Sequence, residues 1–223
     1  MNIIRVLPAL ALCLIAPIRT DAALVPLLPN DFALGAITLN FSGIAFNTEV
    51  NGLTVNNVLF EVTESGLPMN GIVLVDSGPG VTNNITPPNI VSLSNLNGLA
   101  LEVSLPGPMT QFGYGYGILA ADSISAATTI RLFSGITPVG SIDFAGAPDP
   151  IFTGGFAGVG STVPFDRAVL TFSTLGSAFA VDNVTFANTA ANVVPEQGWT
   201  LILFATGVIS LFCLPLRRPK PLV

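Results

Sequence analysis

In residues 167–174, Ala168, Leu170 and Phe172 alternate with Arg167, Val169 and Thr171. This is the period-two pattern of a strand with one buried face. Comparable short apolar runs occur at 32–46, 56–62, 71–76, 99–105, 111–119, 128–134, 139–145, 156–160 and 178–186. Turn clusters separate them: TESG, DSGPG, LPGP, FSG, GAPDP and TLGS. No segment between the chain ends sustains a helical period. About ten short strands punctuated this way predict an all-β protein, an antiparallel β-sandwich of jelly-roll type. The last two runs, 167–174 and 178–186, read as a hairpin. In the second, Phe179 and Val181 share one parity while Val184 and Phe186 have the other. If all four face the core, one residue is extra, which predicts a β-bulge near Asp182 and Asn183.

Charge narrows the function classes. Only 9% of the 223 residues are charged and half are hydrophobic. Between Ala23 and Glu196 the basic residues are Arg131 and Arg167, against twelve acids, a net charge of about −10. Such a surface repels phosphate backbones, so nucleic acid is not an expected partner. Histidine is absent, which removes the commonest general base and transition-metal ligand. The two cysteines, Cys13 and Cys213, sit in the apolar end segments, so the middle of the chain carries neither a disulfide nor a thiolate metal site. A core of roughly 170 residues is large enough to do without one.

The ends read as export and membrane signals. Arg5, the apolar run 6–18 and Thr20-Asp21-Ala22 have the form of a secretory signal over 1–22, cut after Ala22 to leave Ala23 at the mature end, with cleavage one residue later the alternative. The body is then 23–190. The tail, 191–223, holds Val194-Pro195-Glu196-Gln197, an uncharged apolar span at 199–216 and the basic residues Arg217, Arg218 and Lys220. Eighteen helical residues reach ~27 Å, close to the hydrocarbon thickness, so a C-terminal transmembrane helix is expected. Trp199 suits the interface, and the basic cluster acts as a stop-transfer signal on the cytoplasmic side.

The order of motif, span and basic cluster resembles the PEP-CTERM sorting signal of exosortase substrates. The matching residues are Val194, Pro195 and Glu196, the span, and the Arg217-Arg218 pair; Gln197 stands where the motif usually has proline. The resemblance implies a partner, an integral-membrane cysteine protease-transpeptidase that cuts near Pro195-Glu196. It also implies a protein exported through the inner membrane, transiently anchored, then passed to the cell surface or extracellular matrix. The pattern VPFDRAVLTF…SAFAVDNVTF likewise resembles the sandwich bodies that precede such tails.

Two stretches of the body carry candidate chemistry. In FGYGYG, Phe112, Tyr114 and Tyr116 fall on one strand face and Gly113, Gly115 and Gly117 on the other. The stripe is either core set against close-packed backbone or an aromatic platform for sugar rings. Asp182 stands where some carbohydrate-binding jelly rolls hold a structural calcium; the alternative is a polar bulge closed by Asp and Asn side chains. Glu61, Glu64, Glu102 and Asp143 are acids from which a glycosidase pair would have to come, but no catalytic residue is assigned. The Gly-rich run 153–160 lacks a phosphate-loop lysine. The reading is a non-enzymatic, structural or adhesive surface protein of an extracellular polysaccharide matrix. The alternatives are a carbohydrate-binding module and a permanently anchored type I membrane protein.

Overall fold

The computed structural model describes residues 22–94, 97–149 and 152–189. The sorting motif, span and basic cluster, from Val194 to Lys220, lie outside these residues. No helix among the described residues is long and apolar enough to cross a membrane. The described body is all-β with antiparallel pairing throughout, as expected. In chain order the strands are β1 (Leu24–Pro26), β2 (Ile37–Leu39), β3 (Thr48–Glu49), β4 (Leu53–Val55), β5 (Val58–Glu64), β6 (Leu67–Pro68) and β7 (Val73–Asp76). They continue as β8 (Asn89–Ser92), β9 (Leu99–Ile118), β10 (Ile124–Ser134), β11 (Thr137–Pro148), β12 (Thr153–Phe172) and β13 (Phe179–Ala187).

Two 20-residue strands, β9 and β12, organise everything else. They pair along their whole length, from Thr171↔Ala100 to Thr153↔Ile118. Both carry proline near the middle, at Pro106, Pro108 and Pro164, and there the register slips. Proline cannot donate to a ladder, so pairing loosens and the strands can bend. The bend is measurable across the core. Tyr114 lies fourteen residues along β9 from Ala100, ~46 Å if the strand ran straight. Yet its ring is 6.4 Å from that of Phe172, the neighbour of Thr171, which pairs with Ala100. The sheet therefore folds over on itself into two layers.

The first layer runs β5, residues 99–105 of β9, residues 167–172 of β12, β10 and β11, with β4 and β6 beside β5. The second runs β1, the first half of β12, the second half of β9, β13, β8, β7 and β3, with β2 also on β13. Phe60, Val103, Leu170 and Ile130 from the first layer meet Phe112, Tyr114, Tyr116 and Val181 from the second in one buried cluster.

Several expectations change. The runs 99–105 and 111–119 are one strand, as are 156–160 and 167–174, because LPGP and residues 161–166 bend a strand instead of ending it. Residues 32–46 contain only the three-residue β2; a 3₁₀ turn at Pro29–Asp31 precedes them, and turns at the left-handed Gly35 and Gly43 flank the strand. β12 and β13 do not form a hairpin: β9 lies between them. The short strands β1, β3, β4, β6 and β8 lie outside the expected runs.

Candidate functional site

The bulge predicted at the end of the chain is present. Pairing between β13 and β9 slips between Asp182 and Thr185, and Asn183 adopts a left-handed φ of 50°. Asn tolerates that conformation better than most residues. The slip lets Val181 and Val184 both reach the core at 0% exposure. It also turns Asn183 toward an outer cleft.

That cleft, of about 400 Å³, lies over the bulge on the outer side of the second layer. One wall is aromatic: Phe32 and Phe156 meet edge to face, centroids 6.0 Å apart at 83°. The other is polar. Asn183 Nδ2 donates to the Asn84 carbonyl at 2.7 Å. Thr185 Oγ1 donates to the Asn183 carbonyl at 3.0 Å, so Thr38 Oγ1 is the donor in its 2.9 Å bond to Thr185 Oγ1. The entry to β2 is held by Gln111, whose Oε1 accepts from the Ala33 N–H at 2.8 Å. An aromatic edge facing amides and hydroxyls in an open cleft of this size suits a small polyhydroxylated group.

The FGYGYG strand lies beneath the cleft walls, its glycine face against Phe32, Phe156 and Asn84. Phe112, Tyr114 and Tyr116 are wholly buried, so these rings belong to the core and present no face to a sugar. Tyr116 Oη donates to the Ala145 carbonyl at 2.8 Å, and its hydroxyl is pushed up to about 12 by burial. Tyr114 meets Thr128 Oγ1 at 2.5 Å and is pushed further in the same direction, mainly by burial. The glycines on the opposite strand face let other chain segments come close. A Cβ on Gly115 would collide with the Asn84 carbonyl, and one on Gly113 would stand 2.8 Å from the Phe156 ring and 2.9 Å from Phe32. The cleft walls therefore rest on the glycine face of this strand.

Asp182 points away from the core beneath the loop that carries Thr86. It is 1% exposed; its Oδ2 accepts the Thr86 N–H at 2.8 Å, and its Oδ1 meets no protein donor. Burial lifts its carboxyl to about 6, against smaller opposite effects of the Thr86 and Asn183 N–H groups. Asn89, one position beyond the Val181↔Ile90 pair on β8, has the same character: Nδ2 donates to the Gly78 carbonyl at 2.8 Å, and Oδ1 is unpartnered and buried. Calcium takes roughly six to eight oxygens. Among the described residues no three acidic, His or Cys side chains converge on one point, and Asp182 brings no second carboxylate with it. What the described residues show at this place is a polar bulge, held by the Thr86 N–H on Asp182 and the Asn183 amide on the Asn84 carbonyl.

Of the four candidate acids the structure brings two together. Glu61 and Glu102 stand opposite each other on β5 and β9, and Glu102 is bonded to Arg167 at 2.6 Å. Glu64 ends β5 toward the β6 hairpin, while Asp143 on β11 accepts from Thr129 Oγ1 at 2.7 Å. Ala23 donates its N–H to Thr162 Oγ1 at 3.0 Å, and β1 starts at the next residue. The cleft itself is not legible in the sequence, because its residues come from 29–38, 84, 156 and 183–185. Only the parity change at Asp182-Asn183 marks one wall.

No family model matches the chain, and no curated protein matches it. Among solved structures it overlaps the enzymatically active domain of Bacteriophage CBA120 tailspike protein 4, with 19% identity and a TM-score of 0.35, over 62% of this chain and 21% of that one. It also overlaps a catalytic domain of a GH87 alpha-1,3-glucanase, at 14% identity and a TM-score of 0.34, over 62% of this chain and 30% of the other. A family 29 carbohydrate-binding module overlaps at 15% identity and a TM-score of 0.30, over 63% of this chain and 99% of the module. Likenesses this slight assign neither a ligand nor an activity.

Proposed function

We propose that this is an exported surface or extracellular-matrix protein, delivered by an exosortase-type tail, whose β-sandwich body binds a neutral polysaccharide in the cleft over the β13 bulge. The observation that carries the binding role is the pairing of an aromatic wall, Phe32 and Phe156, with the amides of Asn84 and Asn183 and the hydroxyl of Thr38. Sugar rings pack their apolar C–H faces on aromatic rings and offer hydroxyls to amides. An acidic body with two arginines favours a neutral ligand over an anionic one.

Delivery rests on the ends of the chain. β1 begins directly after the expected signal cleavage point, so a mature chain starting at Ala23 keeps all the β-pairing of the described body. In the tail, Pro195-Glu196 precedes the apolar span and Arg217, Arg218 and Lys220 follow it.

Retardation of the protein in native gels containing soluble neutral glycans tests the binding role. Asn183→Gly keeps the left-handed backbone and removes the amide, and Thr38→Val removes the hydroxyl; each should lower affinity about tenfold. Binding unaffected by both, or absent across the glycans, overturns the cleft reading. Intact mass in a host with the sorting enzyme tests delivery. Wild-type protein should lose 199–223, and the Pro195→Ala/Glu196→Ala variant should keep it in the membrane. Equal retention of both forms indicates a permanent anchor instead.

A further inference from the structure

The outer face of the first layer is open and mixed in character. It is formed by alternate residues of β5, β9, β12 and β10, whose intervening positions Phe60, Val103, Ala168 and Leu132 are core. Both cations of the described body lie on it. Arg167 is satisfied: it bonds Glu102 at 2.6 Å and lies 4.3 Å from the centre of the Phe133 ring. Arg131 and Glu61 are exposed and make no ion pair among the described residues. They belong to one cross-strand row, Glu61↔Glu102↔Val169↔Arg131. Each lies on an outer strand of the four, and at ~4.8 Å per strand they stand ~14 Å apart, too far to meet within one chain.

We propose that this face is an isologous interface between two copies of the chain, related by a two-fold axis that runs along the strands between β9 and β12. Such an axis lays β5 of one copy over β10 of the other and keeps each row in place. Glu61 of each copy then meets Arg131 of the other, so both free charges are paired, twice per dimer. The neighbouring rows match under the same rotation. Leu59 shares a row with Phe133, through Ser104 and Arg167, so apolar meets apolar. Thr63 shares a row with Thr129, through Ala100 and Thr171, so hydroxyl meets hydroxyl. The alternative in-plane axis, across the strands, would set Glu61 on Glu61 and Arg131 on Arg131. Twelve outward positions a side is below the usual ~20–30 residues of a stable interface, so the dimer is weak, with dissociation in the micromolar range. A surface that self-pairs weakly fits a protein held at high local concentration.

Sedimentation equilibrium of the full chain in mild detergent, from micromolar to submillimolar protein, tests this. Wild type should show a reversible monomer–dimer equilibrium. Arg131→Glu or Glu61→Arg should each raise the dissociation constant roughly 10- to 100-fold, because like charges then meet twice. The double swap, Glu61→Arg with Arg131→Glu, should restore wild-type association. Both sites are exposed, and circular dichroism confirms that each variant keeps its β signal. A wild type that stays monomeric overturns the proposal. So does association insensitive to the single changes, which would place the contact elsewhere, or a double swap that fails to restore it.

Discussion

Phe172 and Phe179 stack with centroids 4.0 Å apart and planes 12° from parallel. Phe172 ends β12 in the first layer and Phe179 begins β13 in the second, so the pair clamps the two layers where the chain crosses between them. The Tyr114 ring meets the same Phe172 edge-on at 6.4 Å. Phe172→Ala should cost about 3–5 kcal/mol, read from urea unfolding, and Phe172→Leu clearly less. Equal losses for the two variants would show that the stability follows the stacked ring and not the buried volume.

The buried Tyr114–Thr128 bond has a direction. Thr128 Oγ1 donates to the Thr171 carbonyl at 3.0 Å, so Tyr114 Oη donates to Thr128. Thr128→Val removes both bonds and leaves a buried hydroxyl unpaired; Tyr114→Phe removes one bond and leaves Thr128 bonded. The Val variant should be destabilised by about 1–2 kcal/mol more than the Phe variant, measured by thermal unfolding.

Asp182 makes stability depend on pH. Its carboxyl is raised from 3.8 to about 6 in the folded chain, so between these values the folded state holds the proton more tightly. Its contribution is full below pH ~4, falls as pH rises, and is lost above ~6. The shift corresponds to about 2–3 kcal/mol at most. Asp182→Asn keeps an oxygen for the Thr86 N–H and supplies a donor in place of the unpartnered oxygen, so it should raise Tm at pH 7.5 and flatten the profile between pH 4 and 6. A chelator should leave the wild-type Tm unchanged; a fall would revive the calcium reading.

Gly115→Ala should destabilise the fold by roughly 1–3 kcal/mol and weaken glycan retention, because the new methyl collides with the Asn84 carbonyl at the cleft wall. Gly155→Ala, with open space around its Cβ position, is the control and should fall within about 0.5 kcal/mol of wild type. Matched effects at the two positions would count against the close approach of the Asn84 loop.

Sequence alone determined the period-two strands, the all-β class and the bulge, because alternation and parity are local properties of a pleated chain. The parity change between Val181 and Val184 forces an extra residue whatever the neighbours are. For the ends of the chain it set an expectation of export and sorting signals, read from the order of charge and hydropathy without a fold. The tertiary structure decided the rest. It buried FGYGYG, because whether a stripe meets solvent depends on which layer lies opposite, here Thr128 and Phe172. It merged runs that LPGP had divided, since proline in a strand can bend a ladder as well as end it. It inserted β9 between β12 and β13, because adjacency in sequence does not fix order in a sheet that folds over itself. The cleft and the Glu61–Arg131 row follow from that order and from register, and no local pattern encodes either.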